Sequence, residues 1–282
     1  MLKLIAAILV VVLGAPRQQA QELVAAKVAK LPTIDGKADD DAWKSAKELV
    51  VKIDEAGEEN PKKTMIAKAV HDGDSICFLL IWEDPDKSDQ HQPYVWKGAA
   101  YEVDEEKIED FCTLGFALEG KFDSDMKAGI ESKWDVWEWS AARTNPSGFA
   151  LNRTHIFTKT KPPETIKSKR LTSRDQGPIY FAHPVKDGTP CYKRVDAPEK
   201  KTADILPQFV PQTPTGAAAD VQAKGEWAGG KWTVEFKRKL NPGHKDETIF
   251  AVGKSVEFAI AVFDKCEKSD HLVSKNLVLK IQ

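Results

Sequence analysis

No two cysteines in the sequence stand in a C-x-x-C spacing, and none precedes histidine as C-x-x-C-H. The four present, Cys77, Cys112, Cys191 and Cys266, are scattered over 282 residues. Covalent c-type haem attachment is therefore excluded, and a zinc ribbon is disfavoured. Methionine is scarcer still: beyond the initiator there are only Met65 and Met126. The catalytic signatures G-x-S-x-G and H-E-x-x-H and the phosphate-binding glycine loop are also missing. Six histidines are spread out, with no pair placed to share a helix face as metal ligands. Charge of one sign is lacking too. Lysine and arginine number 41 against 43 acids, a net of −2, which leaves no electrostatic footprint for nucleic acid.

Long apolar runs are absent except at the start. There Lys3 precedes an apolar stretch from Leu4 to Leu13, followed by small residues. This is the layout of a secretory signal peptide, expected over residues 1–20, and the run is shorter than the roughly 20 residues a membrane span needs. The expectation is an exported chain with no membrane span once the leader is removed. Export permits disulfides; four thiols allow three pairings, and the sequence does not choose among them.

The remainder is rich in short β-forming runs. ELVVKID, TMIAKAVH, SICFLLIW, DFCTLGFAL, PIYFAH, KWTVEFKRKL, SVEFAIAVF and NLVLKI carry β-branched and aromatic residues. Turn signals such as HDGD, EDPD and WAGG separate them. Helical patterns are few; AWKSAKE, preceded by Asp39, Asp40 and Asp41, is the clearest. Together these predict an all-β fold, an antiparallel β-sandwich with short helices, over residues 32–282. Nine of the sixteen prolines fall between Pro162 and Pro214, so residues 160–220 read as a long proline-rich excursion within that domain.

One stretch concentrates aromatic surface beside a cation. WDVWEWSAARTNPSG, residues 134–148, holds three of the eight tryptophans. On a regular strand Trp137 and Trp139 share one face and Trp134 takes the other. Arg143 follows six residues on from Trp137.

Three segments, TIDGKADDDAWKSAKE, WDVWEWSAARTNPSGFALNRTH and FAIAVFDKCEKSDHLVSKNLVLKI, occur in an order and spacing similar to one family. The chain resembles the haem-binding gamma subunit of ethylbenzene dehydrogenase, a domain shared with the gamma subunits of dimethyl sulfide dehydrogenase, selenate reductase and nitrite oxidoreductase. The resemblance covers roughly residues 32–282. It implies an extracytoplasmic, periplasmic or equivalent, β-sandwich holding one non-covalent haem b. It also implies an electron-transfer role without catalytic residues, between the iron–sulfur subunit of a molybdenum enzyme and an external carrier such as a soluble c-type cytochrome.

On that resemblance Trp137 and Trp139 pack against the ring, and Arg143 holds a propionate through paired hydrogen bonds. The family uses a methionine and a second ligand near the C-terminus. Met126, in the polar loop GKFDSDMKAG, is the expected sulfur ligand, with Met65 in a strand read as core. In SDHLVSKNL the matching position is His271, with Lys275 as the alternative. Relatives often carry histidine where this chain has Glu138, and a carboxylate aimed at a propionate would repel it. Two other readings remain: a carbohydrate-binding module using exposed tryptophans, and a haemless scaffold subunit of a redox complex.

Overall fold

Alternation of side chains builds the sheets. In the run Lys231–Lys239, Trp232, Val234, Phe236 and Arg238 are all buried on one face. The same pattern recurs along the chain, and in this computed structural model it produces an antiparallel β-sandwich, as the sequence predicts. The structure describes residues 20–55, 63–173, 176–265 and 272–282. The expected leader, Cys266 and His271 lie outside them, apart from Ala20.

The first strands are β1 (Gln21–Lys27), β2 (Leu49–Glu55), β3 (Lys63–His71) and β4 (Ser75–Glu83). The short β5 (Tyr94–Trp96) and β6 (Tyr101–Val103) precede the long β7 (Phe111–Gly120), β8 (Ser132–Ser140) and β9 (Leu151–Thr158). Five short strands follow: β10 (Ser168–Thr172), β11 (Pro178–Ala182), β12 (Tyr192–Arg194), β13 (Ile205–Leu206) and β14 (Phe209–Pro211). The chain ends with β15 (Gln222–Ala228), β16 (Lys231–Lys239), β17 (Ser255–Phe263), β18 (Leu272–Ser274) and β19 (Leu277–Ile281). The helix α1 (Asp41–Ser45) is short; Asp40 occupies its N-cap, but the carboxylate accepts the Thr33 N–H at 3.0 Å instead of capping the helix.

Hydrogen bonding runs β10-β11-β9-β8-β7-β17-β18-β2-β3-β4-β16-β15, a single ribbon folded into two facing layers. The layers are closed by β1, which pairs in parallel with both β19 and β3. The fold therefore begins at Gln21, upstream of the boundary at residue 32 expected from sequence. QELVAAK has few β-branched residues, and its strand character comes from the two partners it bridges. The proline-rich region 160–220 is not one long loop. Its β10–β11 hairpin extends the sheet beside β9, β13 pairs with β5, and β12 pairs with β14.

Between the layers lies the main core. Phe78, Phe116, Trp137, Phe236, Phe250 and Phe258 meet there, and Trp82, Trp139 and Trp232 form a second aromatic group beside them. Trp139 fits because β15 carries Gly225: a Cβ there would stand 2.3 Å from the indole. Among the described residues Cys77, Cys112 and Cys191 are buried free thiols. Burial pushes the Cys77 thiol up to about 12, so it is inert.

Candidate functional site

The tryptophan motif divides as its parity requires. Trp137 and Trp139 point inward and are fully buried in the core, while Trp134 faces the outside of the sheet. Trp137 stacks against Arg238, whose guanidinium lies 4.7 Å from the ring. Arg238 in turn binds Asp135 at 2.6 Å and also pairs with Glu247, and Lys186 reaches both acids at 2.6 and 2.9 Å. This buried quartet sets two cations against two acids, and burial, with repulsion from Asp135, pushes the Glu247 carboxyl up to about 7. Burial works against the Asp135 carboxylate, yet Arg238 and Lys186 hold it below its ordinary value.

The rest of the motif fastens the layers together. Trp139 Nε1 donates to Asn145 Oδ1 at 3.0 Å, and Asn145 pairs with the Gly225 backbone through both its amide atoms. Arg143 is engaged by Glu109, whose carboxylate accepts its Nε–H and its backbone N–H and also the Ala142 N–H. The arginine predicted to grip a ligand carboxylate thus already has a buried internal partner. Glu138 is its second neighbour, at 4.0 Å.

A cavity lies on the outer face of β7, β8 and β17, and it encloses ≈ 950 Å³ of atom-free space with its open mouth included. Small residues of β17 and β7 in register form its floor, Ala259 beside Gly115 and Ala261 beside Thr113, with Val136 and Glu138 of β8 next to them. A Cβ added at Gly115 would touch only Trp134 and Val136, both at 3.7 Å, so the space above the glycine is open.

Aromatic rings close the two ends. Phe111 and Phe263 stack at 3.8 Å with 13° between their planes. Opposite them, Trp134 packs on Phe157 at 4.6 Å, and Phe157 stacks on Phe181 at 5.0 Å. Met126 lines the wall, brought there by the loop 121–131, which packs its Phe122 on Trp134 at 4.8 Å. Val273 of β18 lines it too, so the C-terminal segment borders the same space. His271 is outside the described residues, and Lys275 is exposed.

Polar groups collect on one side. His155, His183, Lys169 and Glu138 all line the cavity. His155 Nδ1 is buried without a hydrogen-bond partner. Burial holds His155 well below its ordinary value, and repulsion from His183, Arg153 and Lys169 adds to it; the ring is neutral at pH 7. Glu138 is ionised: burial opposes its charge, but Arg153, at 3.2 Å, and Arg143 keep its carboxyl below the usual range.

Sequence reasoning missed His155. It stands alone in a polar run, LNRTHIFT, and only the β9 register, which pairs it with Trp134, brings it to the cavity. Met65, read as core, is 2% exposed and packs in the sandwich interior.

A two-layer sandwich with an apolar, aromatic-ended recess on one outer face has the build of a binding module. The chain belongs to the ethylbenzene dehydrogenase family, whose model matches residues 40–274. The family is one of oxidoreductase-complex subunits. No curated protein matches the chain by sequence. Among solved structures it is similar to a protein of Bacteroides uniformis described as carbohydrate-binding, with 7% identity, a TM-score of 0.45, and 94% of this chain and 100% of that one covered. It is also similar to a family 9 carbohydrate-binding module of Caldicellulosiruptor kristjanssonii solved with cellotriose, with 9% identity, a TM-score of 0.41, and 93% and 94% covered. Overlaps this loose do not bear on what the chain binds. Among the described residues no helix is long and apolar enough to cross a membrane.

Proposed function

We propose that the chain is the haem b-carrying electron-transfer subunit of an extracytoplasmic molybdenum oxidoreductase, and that the outer-face cavity is where the haem sits. The carrying observation is the recess itself: a small-residue floor between two aromatic ends, with a methionine on its wall. Such a shape suits a flat apolar disc. When bound, haem supplies a reversible one-electron couple, and the protein's part is position, ligation and exclusion of water.

Each residue then has a task. Gly115, Ala259 and Ala261 leave room for a plane to lie on the sheet. Trp134, Phe181, Phe111 and Phe263 exclude water from its edges. Met126 offers a thioether, and His271 remains the proposed partner ligand, one residue before Leu272–Ser274. Lys169, on the cavity's polar side with its ammonium over the Phe181 ring at 5.5 Å, replaces Arg143 as the cation to meet a propionate, because Arg143 is committed to Glu109. The neutral His155 ring can act as a donor or acceptor toward a bound group.

The proposed partners are an iron–sulfur subunit, a molybdenum catalytic subunit and a soluble electron carrier. Trp137 and Trp139 are wholly buried and offer no sugar platform, which removes the tryptophans on which a carbohydrate-binding reading rested. The decisive measurement is the visible spectrum of the purified protein after haem reconstitution and dialysis. A retained, sharp low-spin Soret band that broadens in Met126→Ala supports the reading. A colourless protein overturns it.

A further inference from the structure

Away from the cavity polar wall, three carboxylates from distant parts of the chain converge at one corner of the sandwich. Asp84 follows the end of β4, Asp110 precedes β7 and Asp264 follows β17. One oxygen from each lies within 4.8 Å of the other two. Asp84 and Asp110 are 1% and 0% exposed, whereas Asp264 reaches solvent. Burying two carboxylates beside a third is costly unless something positive offsets them.

The available protein groups do not complete that offset. Asp110 Oδ2 accepts the Ser88 N–H at 2.8 Å and the Trp232 Nε1–H at 3.0 Å, and its Oδ1 accepts the Lys265 N–H at 3.4 Å. Asp84 Oδ1 accepts the Asp86 N–H at 3.3 Å. Asp84 Oδ2, however, is buried with no hydrogen-bond partner. The nearby lysines are spent at the rim: Lys63 pairs with Asp264 at 3.5 Å and Lys265 with Asp86 at 2.9 Å. An orphaned buried carboxylate oxygen beside two more carboxylates is an unmet demand for a cation.

We propose that Asp84, Asp110 and Asp264 bind one calcium ion. The donors are all oxygen, with no imidazole or thiolate, which selects a hard cation. Calcium–oxygen distances of roughly 2.3–2.6 Å let three oxygens spread over twice that span around one ion, while magnesium demands a tighter octahedron. The open side at Asp264 leaves room for water to complete the shell. The ion joins the exit of β4, the entry of β7 and the exit of β17, and so locks the two layers at this corner. The site stands independently of the haem reading, since none of its three ligands lines the cavity.

Two indoles make the test direct. Trp232 Nε1 donates to Asp110 itself, and Trp227 Nε1 donates to the Asp84 carbonyl at 2.9 Å. Terbium is titrated into the full chain after chelator treatment and dialysis, with tryptophan-sensitised emission as the readout. A saturable signal at one ion per chain is expected, displaced by calcium and at least tenfold less readily by magnesium. Asp264→Asn, exposed and tolerant of change, is expected to weaken binding tenfold or more with an unaltered circular dichroism spectrum, and Asp84→Asn to do so further. Calcium is expected to raise the melting temperature of the wild type and not of Asp84→Asn. An emission that does not saturate, equal displacement by magnesium, or binding unchanged in both variants overturns the proposal.

Discussion

The Ser124 N–H donates to Asn276 Oδ1 at 2.8 Å across 152 residues of sequence. Asn276 also donates to the Phe122 carbonyl at 3.2 Å. The loop that carries Met126 is thereby tied to the turn between β18 and β19, on the segment that borders the cavity from the other side. The two walls hold a common position because one amide side chain spans them. Asn276→Ala removes both bonds, at about 1 kcal/mol each. We expect a lower urea midpoint and a reconstituted haem that dissociates faster to apomyoglobin; an unchanged off-rate would show that the tie does not serve the cavity.

The cavity floor can be filled without touching the core. Gly115→Leu places a side chain in open space above the sheet, where the first added carbon meets only ordinary contacts. The melting temperature is expected to shift by only a few degrees. The Soret band after reconstitution is expected to vanish. Haem uptake equal to wild type would place the ligand elsewhere.

Trp137 offers the opposite contrast. It is fully buried and supports the Arg238 guanidinium, so Trp137→Ala opens a large void beneath a buried charge quartet. A loss of about 3–5 kcal/mol is expected by chemical denaturation. A loss under about 1 kcal/mol would contradict the packing described.

Glu138 tests the electrostatics of the polar wall. It is ionised beside the cavity, and like charge repels a bound carboxylate. Glu138→Gln removes that repulsion and the ion pair to Arg153 Nε, while Arg153 Nη1 keeps its bond to the His183 carbonyl. Haem retention is expected to improve severalfold, measured as the dissociation rate; a faster rate would mean that the carboxylate orders the wall more than it repels.

Glu235 makes stability pH-dependent. It is buried under α1, where it accepts hydrogen bonds from Trp43 Nε1 and from the backbone of Asp35 and Gly36. Burial outweighs those donors and pushes its carboxyl up to about 7, from an ordinary 4.5. Between these values the native chain keeps a proton that the unfolded chain loses. The stability associated with Glu235 is therefore present below about 4.5, falls as pH rises to about 7, and then levels off, a total of about 3 kcal/mol. Urea midpoints for the wild type and Glu235→Gln at about pH 5 and about pH 8 isolate this group. The wild type's relative stability is expected to be lower at the higher pH; an equal gap at both would refute the assignment.

The strands of the two long layers were legible because their alternation is carried by large side chains. SICFLLIW, KWTVEFKRKL and SVEFAIAVF match β4, β16 and β17 to within a residue. The strands β1, β9 and β15 were not legible, since QELVAAK, LNRTHIFT and QAKGEWA are mixed in polarity and owe their form to neighbours. For the site, the parity of Trp134, Trp137 and Trp139 was readable, but not which face was the core. Both faces of β8 are apolar, one covered by the second layer and the other by the Met126 loop and Phe181. Pattern alone cannot separate two buried faces. The Asp84, Asp110 and Asp264 corner was equally hidden, because its members meet only through strand ends far apart in the chain.

The parallel pairing of β1 with β19 joins Gln21 to Leu277 and Ala25 to Ile281. These two segments lie far apart in the chain, so the sandwich stays unzipped along that seam until β19 is free to pair. Until then Leu23 and Ala25, later fully enclosed, have no native cover and are candidates for a chaperone's grip. Arrival of β19, more than any local propensity, is the event that lets this seam close.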